Sequence, residues 1–540
     1  MTAHLRIPVL DVCIIVLYIL AILFIGIYST RKTKVTGQVF FLAGRSLPWG
    51  VVGAALFASN ISTIHLIGLT ASGYNEGLVW GNFEWMAVFT LILLSLVFAP
   101  FYFRSRISTL PEFLERRYNS ASRSLLAFMA ILAALFIHIG MSLYAGAVVF
   151  HQFLGLSVFA SILVVAAAVS IYTVFGGLRA VVMTETVNTV VLLIGASLIT
   201  VFAIRALPAH GIHTVIQFRA AVKPRQLDML QTHNPAGLNW YAIFLGFPIL
   251  GIWYWCTDQT IVQRVLGSRT ERDAQLGPIM AGFLKILPVF LLVFPGIIAY
   301  ILFRDQIGTD GNQTLPVLIS QLIPTGLKGL ISAAILAALM SAVSAALNSS
   351  GTLVAVDIVK RFRPQISDAT LVAVGRISSV VIMILAILWS TQGGRFSSIF
   401  AAVNVIASDL APGITTVFLF GVFWRRGTQQ ASVVTMVGGI LMGAAAFILD
   451  LPVFGTTKLI TDGLGISFMM QAWWMFCICS GIFVIVSLLT PPPSAQQIEG
   501  LTWSNPLAVL SEQPLTTFWD PRILALVLFL TMCVLYYTFR

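Results

Sequence analysis

Residues 51–73 read Val51-Val-Gly53-Ala54-Ala55-Leu-Phe-Ala58-Ser59-Asn60-Ile61-Ser62-Thr63-Ile-His65-Leu-Ile-Gly-Leu69-Thr-Ala-Ser-Gly73. The stretch is long and apolar enough for a membrane helix, yet Ser59, Asn60, Ser62, Thr63 and His65 occupy its middle. A bilayer core holds no water to satisfy such groups, so they must face protein, an ion or a ligand. Gly53, Ala54, Ala55 and Ala58 let neighbouring backbones approach closely. Short polar side chains at 59–63 compete for backbone hydrogen bonds and weaken the helix there. The pattern predicts a helix interrupted at mid-membrane, with freed carbonyls available to a small cation. A polar seam between packed helices is the reading this segment alone leaves open.

Composition sets the class. The chain has 540 residues, 58% hydrophobic and 9% charged, where a soluble domain carries roughly 25% charged residues. It is an integral membrane protein, and its first partner is the lipid bilayer. The net charge of +11 does not imply nucleic acid, because the basic residues sit in short loops between apolar spans, where they act as topology signals. Cys13, Cys256, Cys477, Cys479 and Cys533 all fall in apolar segments, so a disulfide framework is not expected. No metal-ligand spacing, phosphate-cradling loop or nucleophile elbow stands out, which argues against an enzyme.

Apolar periodicity predicts about 14 spans, all α-helical. Arg31, Lys32 and Lys34 follow the first span and only Arg6 precedes it, so the N-terminus is expected outside; an even number of spans puts the C-terminus there too. Thr109 and Pro111 mark the start of a short basic surface helix running to Arg117. The span at 238–265 carries Gly246, Pro248 and Gly251, then Trp253-Tyr254-Trp255-Cys256-Thr257-Asp258-Gln259. It is a second polar, interrupted helix, five spans after the first. Two interrupted helices at matching places in two halves point to a transporter with its binding site at the midplane.

Ionisable residues at membrane depth are His65, Glu84, His138, Glu185, Asp258, Lys285 and Asp409. Each costs a few kcal/mol unless paired, which makes each a candidate site residue. Glu84 lies between Phe83 and Trp85, an arrangement suited to accept hydroxyl hydrogen bonds while rings cover an apolar sugar face. Lys285 is open to three readings: partner of Glu84, donor to a solute oxygen, or a side chain snorkelling from a helix end. His138 and Asp409 read as structural.

With these residues in place, the sequence resembles the sodium/solute symporters, and within them the sodium/glucose cotransporter branch. The resemblance rests on Tyr172-Thr-Val-Phe-Gly176-Gly177-Leu178-Arg-Ala180, Phe41-Leu-Ala-Gly-Arg45-Ser-Leu-Pro48-Trp49, Leu110-Pro111-Glu112-Phe113-Leu114 and, most sharply, Trp253 to Gln259 with Ile261-Val-Gln-Arg264. It implies a LeuT-like fold, an inverted repeat of five plus five helices with extra flanking helices. The chain would be one transmembrane domain: a leading helix and loop at about 8–46, the repeat core at 47–425 and peripheral helices at 426–540.

The resemblance also implies roles. Asn60, His65, Glu84, Lys285 and Asn404 would contact the sugar, with Tyr254 closing the inner side and Leu69, Phe83 and Phe400 the outer side. Sodium would be held by carbonyls of Ala58, Ile61 and Ala338 and the hydroxyl of Ser341, with Glu185 behind them. Two departures bear on this. Asn404 stands where the branch has glutamine, and Ala342 where it usually has a second serine, so one cation hydroxyl is missing and the sodium site is expected to be weakened. The expectation is sodium-coupled symport of a neutral, glucose- or galactose-like sugar across a plasma membrane (the inner membrane in a bacterium). An inositol or polyol symporter, and a sodium-independent sugar carrier or sensor, are the alternatives. The sequence assigns no oligomeric state.

Overall fold

The computed structural model describes residues 8–31, 35–392, 399–450, 458–503, 517 and 519–540; the side chains of 152–154 and 399–402 fall outside the description. Regular structure among the described residues is helical, with only isolated bridge pairs of extended backbone.

Among the described residues, twelve helices are long and apolar enough to cross a membrane, and a bent pair brings the spans to thirteen. One of the twelve includes the segment Val158–Ala206, 49 residues long, which would extend on the order of 70 Å against a hydrocarbon core of about 30 Å. It breaks at Gly177, where φ is 59° and ψ is −157°, so it supplies two crossings and the expected fourteen are reached. Only glycine adopts that conformation readily. A Cβ there would also stand 2.5 Å from the Phe40 carbonyl oxygen.

Leu327–Thr352 is the axial helix, almost wholly buried and rich in Ala and Ser, which lets its neighbours pack closely. Val9–Tyr28, Gln429–Leu449, Phe468–Leu489 and Pro521–Thr538 bury only a minor share of their surface, as lipid-facing helices do. Polar contacts tie the first and the last of these to the rest of the bundle. Asp11 Oδ1 accepts the amides of Gly326 and Gly329 at 2.8 and 2.6 Å, capping the axial helix from the first one. Tyr536 donates to Asn82 Oδ1 at 2.9 Å. Gly73 and Gly296 mark the tightest crossing: a Cβ on either would collide with the other helix's backbone, at Val293 or Thr70.

The short helix Leu110–Arg117 forms as expected, with Thr109 Oγ1 accepting from the Glu112 amide. Its description as a surface helix needs correction. Arg117 is fully buried and donates to the carbonyls of Gly421, Trp424 and Gly427 at 2.9–3.0 Å. It thus satisfies carbonyls at and just beyond the C-terminal end of Ile399–Phe423.

Candidate functional site

The interruption falls where the polar residues predicted it. Trp49–Asn60 and Thr63–Asn75 are separate helices bent by 63° about Ile61 and Ser62. The local cause is visible in two amides. Ile61 N–H still bonds to the Phe57 carbonyl at 3.1 Å, whereas Ser62 N–H turns to His65 Nδ1 at 3.3 Å. The helical ladder therefore stops before reaching the Ala58 carbonyl. Because His65 Nδ1 accepts, its proton belongs on Nε2, which makes the other side of the ring a donor.

The second break lies at Asp258, with φ −84° and ψ 125°. Trp240–Gly251 passes into a π-helical turn, Ile252–Thr257, and Gln259–Leu266 begins after the break, capped by Asp258 Oδ1 accepting from Thr260 N at 2.6 Å. A second π-turn, Ala134–Met141, faces it. Such turns widen a helix locally and re-aim its side chains.

A cavity lies between these interruptions. Asn60, His65, Phe83, Glu84, Tyr254 and Asn404 line it, together with Ser59, Ser62, His138, Ser142, Phe247 and Ala342. Lys285 reaches the same cluster from behind: its ammonium, 1% exposed, donates to Glu84 and to Asn60 Oδ1. The pairing reading of Lys285 is therefore the one the geometry supports, and snorkelling does not occur. Its Nζ also lies 5.7 Å from the Trp255 ring.

Other positions differ from expectation. Trp85 points away from the cavity, because consecutive helical residues diverge by about 100°; its Nε1–H donates to the Ile286 carbonyl at 3.3 Å, and Phe290, Tyr536 and Phe539 surround its ring. Only Phe83 of the two flanking rings faces the cavity, stacked on Trp80. Leu69 is fully buried in the helix Thr63–Asn75 and does not line the cavity. The side chain of Phe400 lies outside the described residues. His138, read from sequence as structural, faces the cavity, with Nε2 3.3 Å from Asp258 Oδ2. Asp409 is structural, accepting from Gln471 Nε2 at 2.8 Å.

The candidate cation ligands are distributed over elements that meet. Ala58 and Ile61 sit at the first break, fully buried. Ala338 and Ser341 lie on the axial helix, which Thr63 Oγ1 touches through the Ile335 carbonyl at 3.2 Å. Ser341 Oγ accepts from Asn188 Nδ2 at 2.8 Å, and Tyr18 in turn donates to Asn188 Oδ1 at 2.7 Å. The serine is thus oriented with its own hydrogen directed elsewhere, which leaves an acceptor lone pair for a cation. Ser344 Oγ donates back to the Ser341 carbonyl at 3.1 Å, one turn further along the same helix.

Glu185 stands behind the first break and accepts from Ser59 Oγ at 3.0 Å. Its main partner is Arg264, at the end of the second interrupted span; both side chains are fully shielded from solvent. Arg264, Asn188 and Trp255 were given no role by sequence reasoning, and His138 was read as structural. For Arg264 and His138 the available signal was charge at membrane depth.

The fold and the paired, interrupted helices around a polar midplane cavity define a secondary transporter. A family model described as the sodium:solute symporter family matches residues 40–439. The chain belongs to the sodium:solute symporter family and is a transporter rather than an enzyme. It is 34% identical over 535 residues to the sodium/mannose cotransporter of Bos taurus, covering 92% of this chain and 89% of that one. It is 32% identical over 556 residues to sodium/myo-inositol cotransporter 2 of Oryctolagus cuniculus, covering 95% and 82%. Sodium/glucose cotransporter 1 of Oryctolagus cuniculus is 31% identical over 540 residues, covering 92% and 81%. In structure, a sodium-coupled sialic acid symporter superposes with a TM-score of 0.76 at 20% identity, over 90% of this chain and 99% of that one. At that identity the likeness establishes the fold, a LeuT-like helical transporter.

Proposed function

We propose that this chain couples sodium entry to the uptake of a small neutral sugar or polyol by alternating access around the midplane cavity. The observation that carries the reading is the cluster of Glu84, Lys285 and Asn60 at the cavity wall. The carboxylate and ammonium cancel, so the site asks for no net charge on the solute. It still offers ionised acceptors and donors, with the Asn404 amide and the His65 Nε2–H nearby, for a ligand dense in hydroxyls. Phe83 and Tyr254 give it ring faces for the apolar side of a pyranose or cyclitol.

Sodium would bridge the carbonyls at the first break and the hydroxyl of Ser341 on the axial helix. A ligand that bonds to both elements in one state favours that state, and coupling requires such a differential. A sodium-independent carrier or sensor is the second reading, favoured by one observation: Ala342 presents a methyl to the cavity where a second hydroxyl would complete the ligand set. The relatives named for mannose, myo-inositol and glucose differ by three percentage points in identity, 34, 32 and 31%, so identity does not choose among these solutes.

The test is uptake of radiolabelled glucose, mannose and myo-inositol into sealed proteoliposomes, with and without an inward sodium gradient. Accumulation above the external concentration supports a symporter. Equilibration alone indicates a carrier, and binding without uptake a sensor. Preference for a monocarboxylate over all three would sink the neutral-solute reading.

A further inference from the structure

His138 lines the cavity and pairs with Asp258 behind it, a titratable pair that the solute site as described does not use. His138 sits on the π-turn Ala134–Met141, with its side chain 15% exposed, towards the cavity. Its Nε2 lies 3.3 Å from Asp258 Oδ2, and its ring centroid is 6.0 Å from that of Tyr254. Asp258 is the extended residue at the second break, and its other oxygen caps Gln259–Leu266. A single carboxylate thus joins the capped helix to a histidine on a different span.

Charge bookkeeping around the cavity singles this pair out. Glu84 is matched by Lys285, and Glu185 by Arg264. Asp258 has only His138. With the ring neutral, the Asp258 carboxylate has no counter-charge and is stabilised by the amide at the helix start; with the ring protonated, the pair balances.

The other elements packed on the π-turn bring little charge against it. The axial helix carries Lys328 in its first turn and no other ionisable residue. Asp368–Ser390 has Asp368 and Arg376, the latter donating to the Phe175 carbonyl. Ile399–Phe423 has Asp409, held by Gln471. On the adjoining helices, Arg123 is engaged by Asp357 and Glu115, and Tyr144 and His151 follow the turn. Across the cavity, His65 is the remaining titratable ring, tied to Ser62.

We infer that His138 and Asp258 form a proton-binding site opening on the substrate cavity, so that a proton from the adjoining water is bound together with the solute. The inference rests on the cavity being the solute site proposed above. Protonation places a hydrogen on each ring nitrogen and turns the contact with Asp258 into a charged hydrogen bond. That bond ties the π-turn to the second break and holds Tyr254 and Trp255, on the turn just before it, against the solute. Deprotonation on the other side of the membrane loosens the same tie.

Imidazole is the side-chain type whose charge changes at physiological pH, so the test spans about pH 5.5 to about pH 8. Two measurements test the site. The first is sugar uptake at fixed sodium across that range. The native protein is expected to show an apparent KM roughly tenfold lower at the acid end, the change that one unit of linked pKa produces. His138→Lys (permanently charged) and His138→Gln (permanently neutral) are both expected to flatten the profile. A native profile that is already flat, or one that either variant preserves, overturns the inference. The second needs no sugar: the carbon-13 resonance of the His138 ring in histidine-labelled native protein, assigned by its loss in either variant. Its titration between about pH 5 and about pH 8 supports the site, and a signal that does not move overturns it. If none of glucose, mannose and myo-inositol is taken up at any pH, the solute reading falls while the ring titration still decides on the proton.

Discussion

Arg264 and Glu185 meet out of reach of solvent, with guanidinium nitrogens 2.5 and 3.1 Å from the two carboxylate oxygens. The carboxylate also receives Ser59 Oγ, so one side chain touches residues from both interrupted helices. Removing one partner strands a buried charge, which typically costs about 3–5 kcal/mol. Arg264→Ala is therefore expected to lower the thermal midpoint of the detergent-solubilised protein sharply. Arg264→Met combined with Glu185→Met is expected to recover most of that loss. Additive losses in the double variant would show that the two groups do not act as a unit.

The pair at the cavity wall separates stability from affinity. Glu84→Gln leaves the Lys285 ammonium without its counter-charge, so both the thermal midpoint and solute binding should fall. Loss of charged hydrogen bonds at about 1.5–3 kcal/mol each corresponds to a roughly ten- to hundredfold weaker sugar affinity. Adding Lys285→Met should restore the midpoint and leave affinity weak. Equilibrium binding of labelled sugar would contradict the assignment if the double variant bound as tightly as the native protein.

Sodium dependence turns on two adjacent positions of the axial helix. Ser341→Ala removes the candidate hydroxyl, and uptake is expected to become indifferent to sodium. Ala342→Ser adds a hydroxyl at the cavity edge and is expected to lower the sodium concentration giving half-maximal uptake. Indifference to sodium in both the native protein and Ala342→Ser would remove this site from coupling.

Orientation is read from two exposed residues at opposite ends of the bundle, Arg116 and Ala220. In a background lacking the native cysteines, Ala220→Cys is expected to react with an impermeant thiol reagent on intact cells, and Arg116→Cys only after permeabilisation. The reverse pattern would invert the topology. Arg117 is unsuitable for this purpose, because its three carbonyl contacts make any substitution destabilising.

Gly177→Ala should be among the most damaging single substitutions. It combines a backbone conformation closed to other residues with a collision against Phe40. The expected readout is loss of the monodisperse peak in size-exclusion chromatography. A well-behaved Gly177→Ala protein would mean that the two crossings do not part at that residue.

Much of this architecture was legible in the sequence because a bilayer tolerates so few arrangements. Polar residues at 59–65 and the Gly/Pro-rich run before Asp258 each reported a break, and it was the pairing of the two that favoured interruption over a polar seam between helices. The glycine pair at 176–177, quoted there only for the family resemblance, proves to hold the break between two crossings. What remained hidden was the partnership of Arg264 with Glu185, 79 positions apart, which no local periodicity encodes; for Lys285, 201 positions from Glu84, the pairing was one of three readings until the fold brought the two together. The direction of Trp85 was misread because flanking a residue in sequence does not mean sharing its face in a helix. His138 was misjudged for a related reason: its exposure to the cavity depends on a π-turn, which composition does not announce.

The two matched ion pairs also have an electrical consequence. When the helices bearing Glu84 with Lys285 and Glu185 with Arg264 shift, each pair travels as a dipole and little net charge moves through the membrane. Of Glu84, Glu185 and Asp258, only Asp258 lacks a lysine or arginine partner, and it is then the one on which the transmembrane voltage can pull. A full elementary charge crossing the membrane gains or loses about 2.3 kcal/mol per 100 mV, and even a fraction of that is enough to bias a two-state carrier. The cell's resting potential would therefore help to set which way the empty protein faces before any solute arrives. Rapid voltage steps should draw a small, saturating displacement current from the ligand-free protein, whose size counts the charge left unmatched.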